Sequence, residues 1–140
     1  MKINFKFYDY LCKEVKHVRE EVFVKEQGFQ NEFDKCDDKS FHLLLFVDRE
    51  PIGTARLFQL EANKTFIIGR VAVLEKYRGL HLGNKIIKIL EEKVEKLGGT
   101  CVELSAQCRV QEFYKKLGYI PIGEPYLDEF CPHICMRKEL

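Results

Sequence analysis

Apolar residues lie two apart near the N-terminus, at Ile3, Phe5 and Phe7, so residues 3–9 have the period of a strand with one buried face. From Leu11 the rhythm lengthens to Leu11, Val15, Val18 and Val22, one face of a helix that should stop before Gly28. Residues 28–40 carry Gly28, Asn31, Asp34, Asp37 and Asp38 with little apolar rhythm, and read as a loop or short irregular helix of the kind that lines sites. Residues 41–47 are almost wholly apolar, 48–51 read as a turn, and 52–60 resume an extended pattern. A second turn at Glu61, Ala62, Asn63 and Lys64 leads into residues 65–73, rich in β-branched side chains and interrupted by Gly69. The prediction is a three-stranded antiparallel meander.

Beyond Gly79 the apolar positions become Leu82, Ile86, Leu90, Val94 and Leu97, an amphipathic helix closed by Gly98 and Gly99. Residues 101–104 read as a short buried strand, 110–117 as a short helix ended by Gly118, and 134–137 as a last strand. Hairpins together with strands flanking helices imply a mixed sheet with helices on its faces. The expected class is therefore α/β, α+β by stricter usage, in a single domain over residues 1–140.

Composition narrows the function. At 46% apolar and 32% charged residues the chain can bury a core, and a net charge of +1 offers no basic field for a nucleic-acid backbone. No run approaches the roughly 20 apolar residues that span a bilayer, and the N-terminus alternates where a secretory signal would be unbroken. A cytoplasmic protein with no membrane or nucleic-acid partner is expected. Six cysteines, Cys12, Cys36, Cys101, Cys108, Cys131 and Cys135, then read as reduced and mostly core. Cys131-Pro-His-Ile-Cys135 matches no common zinc spacing, so no metal is expected.

Residues 70–84 put a buried strand, a basic glycine-containing loop and a long helix in direct succession. The first turn of a helix leaves backbone N–H groups unpaired at the positive end of the dipole, which suits a pyrophosphate. Arg78 adds a donor, and Gly79 and Gly83 let the backbone approach. A Walker loop is excluded because Gly83-Asn84-Lys85 lacks its order and hydroxyl, and the three glycines of a dinucleotide fingerprint are missing.

Val71-Ala72-Val73 followed by Tyr77-Arg78-Gly79-Leu80-His81-Leu82-Gly83 resembles the acetyl-CoA signature of the GNAT superfamily, Q/R-x-x-G-x-G/A. Arg78 and Gly83 match its ends, and His81 occupies its central glycine position. Phe113-Tyr114 with Gly118-Tyr119 is similar to the family's second motif. Residues 18–27, His42-Leu43, 104–107 and 126–129 are similar to the ElaA-type branch, so the resemblance covers nearly the whole chain.

The resemblance implies an N-acetyltransferase that moves an acetyl group from acetyl-CoA to a small-molecule or peptide amine by direct attack, as monomer or homodimer. It further implies a splayed sheet whose strands ending at Val73 and around Glu103 part to admit the cofactor. Main-chain groups of Val71, Ala72 and Val73 would then meet the pantetheine arm, with Arg78, Gly79, Leu80, His81, Leu82, Gly83, Asn84 and Gln107 around the rest. Tyr114 is the expected donor to the departing thiolate, since a phenol can give sulfur a proton or a hydrogen bond. The general base is open among Glu103, Glu26, Asp128 and His133, with Glu103 named on its central strand. Arg19, Glu26, His42, Asp128 and His133 are candidates for the acceptor pocket. Arg19, Phe23, Asp34 and Asp38 also resemble acyl-homoserine lactone synthases, and a non-catalytic acyl-CoA sensor is the rival from another class.

Overall fold

A computed structural model describes residues 1–60 and 63–140; of the turn expected at residues 61–64, Glu61 and Ala62 lie outside the described residues. Seven strands form one sheet in the spatial order β1-β2-β3-β4-β5-β7-β6. They are β1 (Ile3–Tyr8), β2 (Phe41–Val47), β3 (Glu50–Gln59), β4 (Thr65–Val73), β5 (Cys101–Gln107), β6 (Ile120–Asp128) and β7 (Cys131–Glu139). Only β4 and β5 pair in parallel; every other neighbouring pair is antiparallel. The expected mixed sheet is present, with the meander extended by β1.

Alternation along β2 divides the two cores. Leu43, Leu45 and Val47 face α2 (Leu82–Lys96), packing with Ile86, Ile87, Leu90 and Val94. Leu44 faces the other way, onto Val15, Val18, Val22 and Phe23 of the first helical segment. That segment begins as α1 (Lys13–Arg19) and continues over Glu20–Glu26 with π-helical geometry, in which the Gln27 N–H reaches the Val22 carbonyl at 3.1 Å. The wider turn rotates its last residues relative to an α-helix, and such insertions often accompany sites. α3 (Gln111–Lys116) follows β5 through a 3₁₀ turn.

One strand is absent from the sequence pattern. All nine residues of β6 are exposed, and Pro121, Gly123 and Pro125 interrupt it, so no alternation marks it. Proline is tolerated there because β6 is an edge strand with one side unpaired. The cysteines also depart from expectation: Cys12 and Cys101 are buried, whereas Cys36, Cys108, Cys131 and Cys135 are half-buried, and all six are free thiols.

Candidate active site

The parallel pairing of β4 with β5 runs only from Thr65 opposite Cys101 to Ile68 opposite Leu104. Just beyond, β4 carries one more residue than β3: Thr54 faces Ala72, but Arg56 faces Gly69. This bulge puts Arg70 at φ +53°, a left-handed conformation that costs a non-glycine residue about 1 kcal/mol or more. It turns β4 away from β5, and the strands part.

The parting frees an edge. The Leu74 N–H donates to the Ile52 carbonyl of β3 at 2.8 Å, so by strand alternation the N–H groups of Val71 and Val73 point away from β3, into the gap. At the mouth of the same gap α2 begins, and no side chain caps its first N–H groups. Its preceding residue, His81, adopts φ +59°, so the histidine takes the left-handed conformation that the signature assigns to glycine. Gly79 lies at φ +83°, and a side chain there would meet nothing within 4 Å. Gly83 is small for a second reason: a Cβ would lie 3.2 Å from Phe113 Cζ, so this glycine also admits an aromatic ring.

Together these features open into one cavity of about 520 Å³, within the range of small-molecule sites. Val71, Ala72, Val73, Arg78, Gly79, His81, Leu82, Gly83, Asn84, Gln107 and Tyr114 line it, as do Asp128 and His133. Leu80 does not; its side chain is exposed. Tyr114 is buried in the wall, where burial pushes its phenol up to about 12, and among the described residues its hydroxyl has no hydrogen-bond partner.

Other expected site residues are committed elsewhere. Glu103 lies outside the lining, at the paired end of β5, with Oε2 2.6 Å from Arg137 Nη1. Arg19 is 1% exposed and binds Glu32 through Nε at 2.8 Å and Asp37 through Nη1 at 2.7 Å, so an acceptor cannot reach it. His42 is fully buried with Nε2 3.0 Å from the Asp37 carbonyl. Glu26 is also outside the lining, because it clasps Arg78: its carboxylate accepts from Nη1 at 2.5 Å and Nη2 at 2.7 Å. Those bonds hold the Glu26 carboxyl below its usual range, and Arg78 Nε meanwhile donates to the Val73 carbonyl at 2.9 Å. Arg78 is thus anchored before any phosphate arrives.

Gln27, Phe29, Glu32, Arg70, Ser105 and Arg109 also line the cavity, though no motif singles them out. Glu32 belongs to a partly buried ionic cluster in which Arg19, Arg56 and Arg70 face Glu32, Asp34 and Asp37. Burial raises the Glu32 carboxyl despite its arginines. Burial also pushes Asp37 up, but hydrogen bonds from Arg19, the Asp34 N–H and Arg56 prevail and hold it at about 2. Glu129 accepts from the N–H groups of Gln30 and Asn31, each at 3.0 Å, and so pins the turn after β6 to the loop bearing Glu32. The advance signals were that Arg70 opens the cradle segment and that Gln27, Ser105 and Glu129 fall in stretches resembling the ElaA-type branch.

Known proteins resemble this arrangement along nearly their whole length. Protein ElaA of Escherichia coli is 33% identical over 124 residues, 85% of this chain and 81% of its own. The uncharacterized N-acetyltransferase YjcF of Bacillus subtilis is 34% identical over 130 residues, 91% of each chain. The crystal structure of an acyl-CoA N-acyltransferase from Pseudomonas aeruginosa superposes with a TM-score of 0.86 at 30% identity, covering 98% of this chain and 99% of that one. The profile of the acetyltransferase (GNAT) domain matches residues 9–140, and the chain belongs to the GNAT acetyltransferase family.

Proposed function

We propose that this acetyltransferase binds acetyl-CoA between β4 and β5 and transfers the acetyl group directly to the amine of a small molecule or peptide. The observation that carries this reading is the convergence of a freed strand edge and an uncapped helix N-terminus on one cavity. The edge groups of Val71 and Val73 suit an extended, amide-containing arm, and the α2 terminus suits a pyrophosphate. An N–H near Val71 also suits the thioester carbonyl oxygen as negative charge develops on it. Tyr114 lines the same cavity, which supports its phenol as the donor to the departing sulfur. Direct transfer needs no acyl-enzyme, in keeping with Cys108 lying outside the cavity lining. The six free thiols support a reducing, cytosolic setting.

The lactone-synthase reading loses support from the packing, because Arg19 and Asp34 are spent on internal ion pairs and Asp38 is exposed. Mixing the protein with acetyl-CoA and a panel of amines while following free thiol tests the proposal. Amine-dependent thiol release, matched by N-acetylated product in the mass spectrum, is expected. Binding of acetyl-CoA with no thiol above background would instead favour the sensor reading.

A further inference from the structure

His133 lies on β7 directly opposite Gln107, where β5 has left β4, and its side chain lines the cavity while only 7% of the residue is exposed. Nδ1 is 2.9 Å from the Cys131 carbonyl oxygen. A carbonyl can only accept, so the proton of the neutral ring is on Nδ1 and the lone pair is on Nε2. Among the described residues Nε2 has no partner. The ring is held from two sides, stacked on Tyr126 at 6.3 Å and 26° and edge-on to Phe29 at 6.3 Å and 69°. Tyr126 is itself tied to Ser105 by a hydrogen bond between their hydroxyls. Orientation and tautomer are therefore both fixed, which is what a proton acceptor in a cavity wall requires.

The other titratable groups of this wall are less suited. Glu32 Oε2 is taken by Arg19 at 2.8 Å and Arg70 at 3.0 Å, Glu129 is spent on two backbone N–H groups, and Arg109 donates to Gln107. Asp128 ends the exposed edge strand, and His81 stands away at the start of α2. We infer that His133 is the general base that deprotonates the acceptor. This rests on the acetyl-transfer reading above.

The acceptor enters as an ammonium ion, and Nε2 takes one proton from it. The nitrogen lone pair then forms the N–C bond as the carbonyl π pair moves onto oxygen. Collapse of that intermediate breaks the C–S bond, and a second proton lost from nitrogen ends on the sulfur. The imidazolium returns its proton to solvent, so the net products are the amide, free thiol and one proton.

His133→Asn keeps a side-chain N–H able to donate to the Cys131 carbonyl and removes the basic ring nitrogen. Thiol release from acetyl-CoA is then compared for propylamine, charged at neutral pH, and methoxyamine, neutral there. The variant is expected to lose roughly 100-fold or more in kcat/KM for propylamine at neutral pH, the lower end of acid–base effects, and the loss should shrink as pH rises and the amine itself becomes neutral. With methoxyamine it should lose less than about tenfold, because no ammonium proton has to be removed. Equal losses for the two amines, or none, would overturn the assignment while leaving acetyl transfer intact. No thiol release by the unsubstituted protein with these amines or any other of the panel would overturn the acetyl-transfer reading first. The unsubstituted protein supplies an independent check: ¹⁵N shifts must show Nδ1 protonated and Nε2 bare, and the opposite tautomer would remove His133 as base.

Discussion

Replacing Tyr114 by phenylalanine separates two roles that the structure makes unequal. Burial holds the phenol at about 12, whereas an ordinary thiol lies near 8.5. Full proton transfer to the departing thiolate is therefore uphill by roughly 3–4 units, or about 5 kcal/mol, so tyrosine is better suited to giving sulfur a hydrogen bond than a proton. A preorganised donor of that kind is worth about 10²–10³ in kcat, and Tyr114→Phe should fall in that range with acetyl-CoA affinity unchanged by calorimetry. Its alkaline limb should match that of the unsubstituted enzyme up to about pH 10, because a phenol at about 12 does not ionise there. Stability supplies a control. The hydroxyl has no partner among the described residues, so its removal should change stability near neutral pH by less than about 0.5 kcal/mol. The raised phenol favours folding below its unfolded value near 10, and that contribution is lost as pH rises through about 12. The substituted protein should accordingly lose about 2–3 kcal/mol less than the original over that window. A kcat within about threefold of the original at every pH would remove Tyr114 from the reaction and leave it as packing.

The ionic cluster and the Arg78 clasp carry three further predictions. Arg19→Met should cost about 3 kcal/mol, since it strips a partner from two buried carboxylates, and should lower Tm by roughly 10 °C; an unchanged melting curve would refute its structural role. In the unsubstituted protein the Asp37 contribution is full above the ordinary carboxylate value and lost as pH falls through about 2, so Asp37→Asn should flatten acid unfolding in that window. Glu26→Gln removes a carboxylate from Arg78 and should tighten acetyl-CoA binding roughly two- to fivefold, the scale of a part-exposed ion pair. Acetyl-pantetheine, which lacks the pyrophosphate, should bind both forms equally, and equal tightening of both ligands would contradict the placement of phosphate at this end.

What could be read from the sequence was what repeats locally. α2 announced itself through Leu82, Ile86, Leu90 and Val94, all buried on one face, and β2 through its apolar run. β6 could not, because Pro121, Gly123 and Pro125 break up its β-formers Ile120, Ile122 and Tyr126. The site divided along the same line. The cradle of residues 78–84 is contiguous and so was visible, including the His81 substitution, although only the backbone reveals that histidine takes the left-handed turn itself. Arg19, Glu26 and His42 looked available to an acceptor because their partners are distant in sequence or on the backbone: Arg19 meets Asp37, Glu26 meets Arg78, and His42 meets a carbonyl. His133 was one candidate among several until the Cys131 carbonyl fixed its tautomer.

Hydrogen exchange on addition of acetyl-CoA tests the central claim most directly, because the account names the backbone amides that the ligand should cover. It predicts slowed exchange at Val71 and Val73 on the freed edge of β4 and at Leu82, Gly83 and Asn84 in the first turn of α2, with β1 and β2 unchanged. Unaltered exchange at both places under saturating acetyl-CoA, or protection confined to the surface around Tyr8, Phe41 and Lys93, would contradict it.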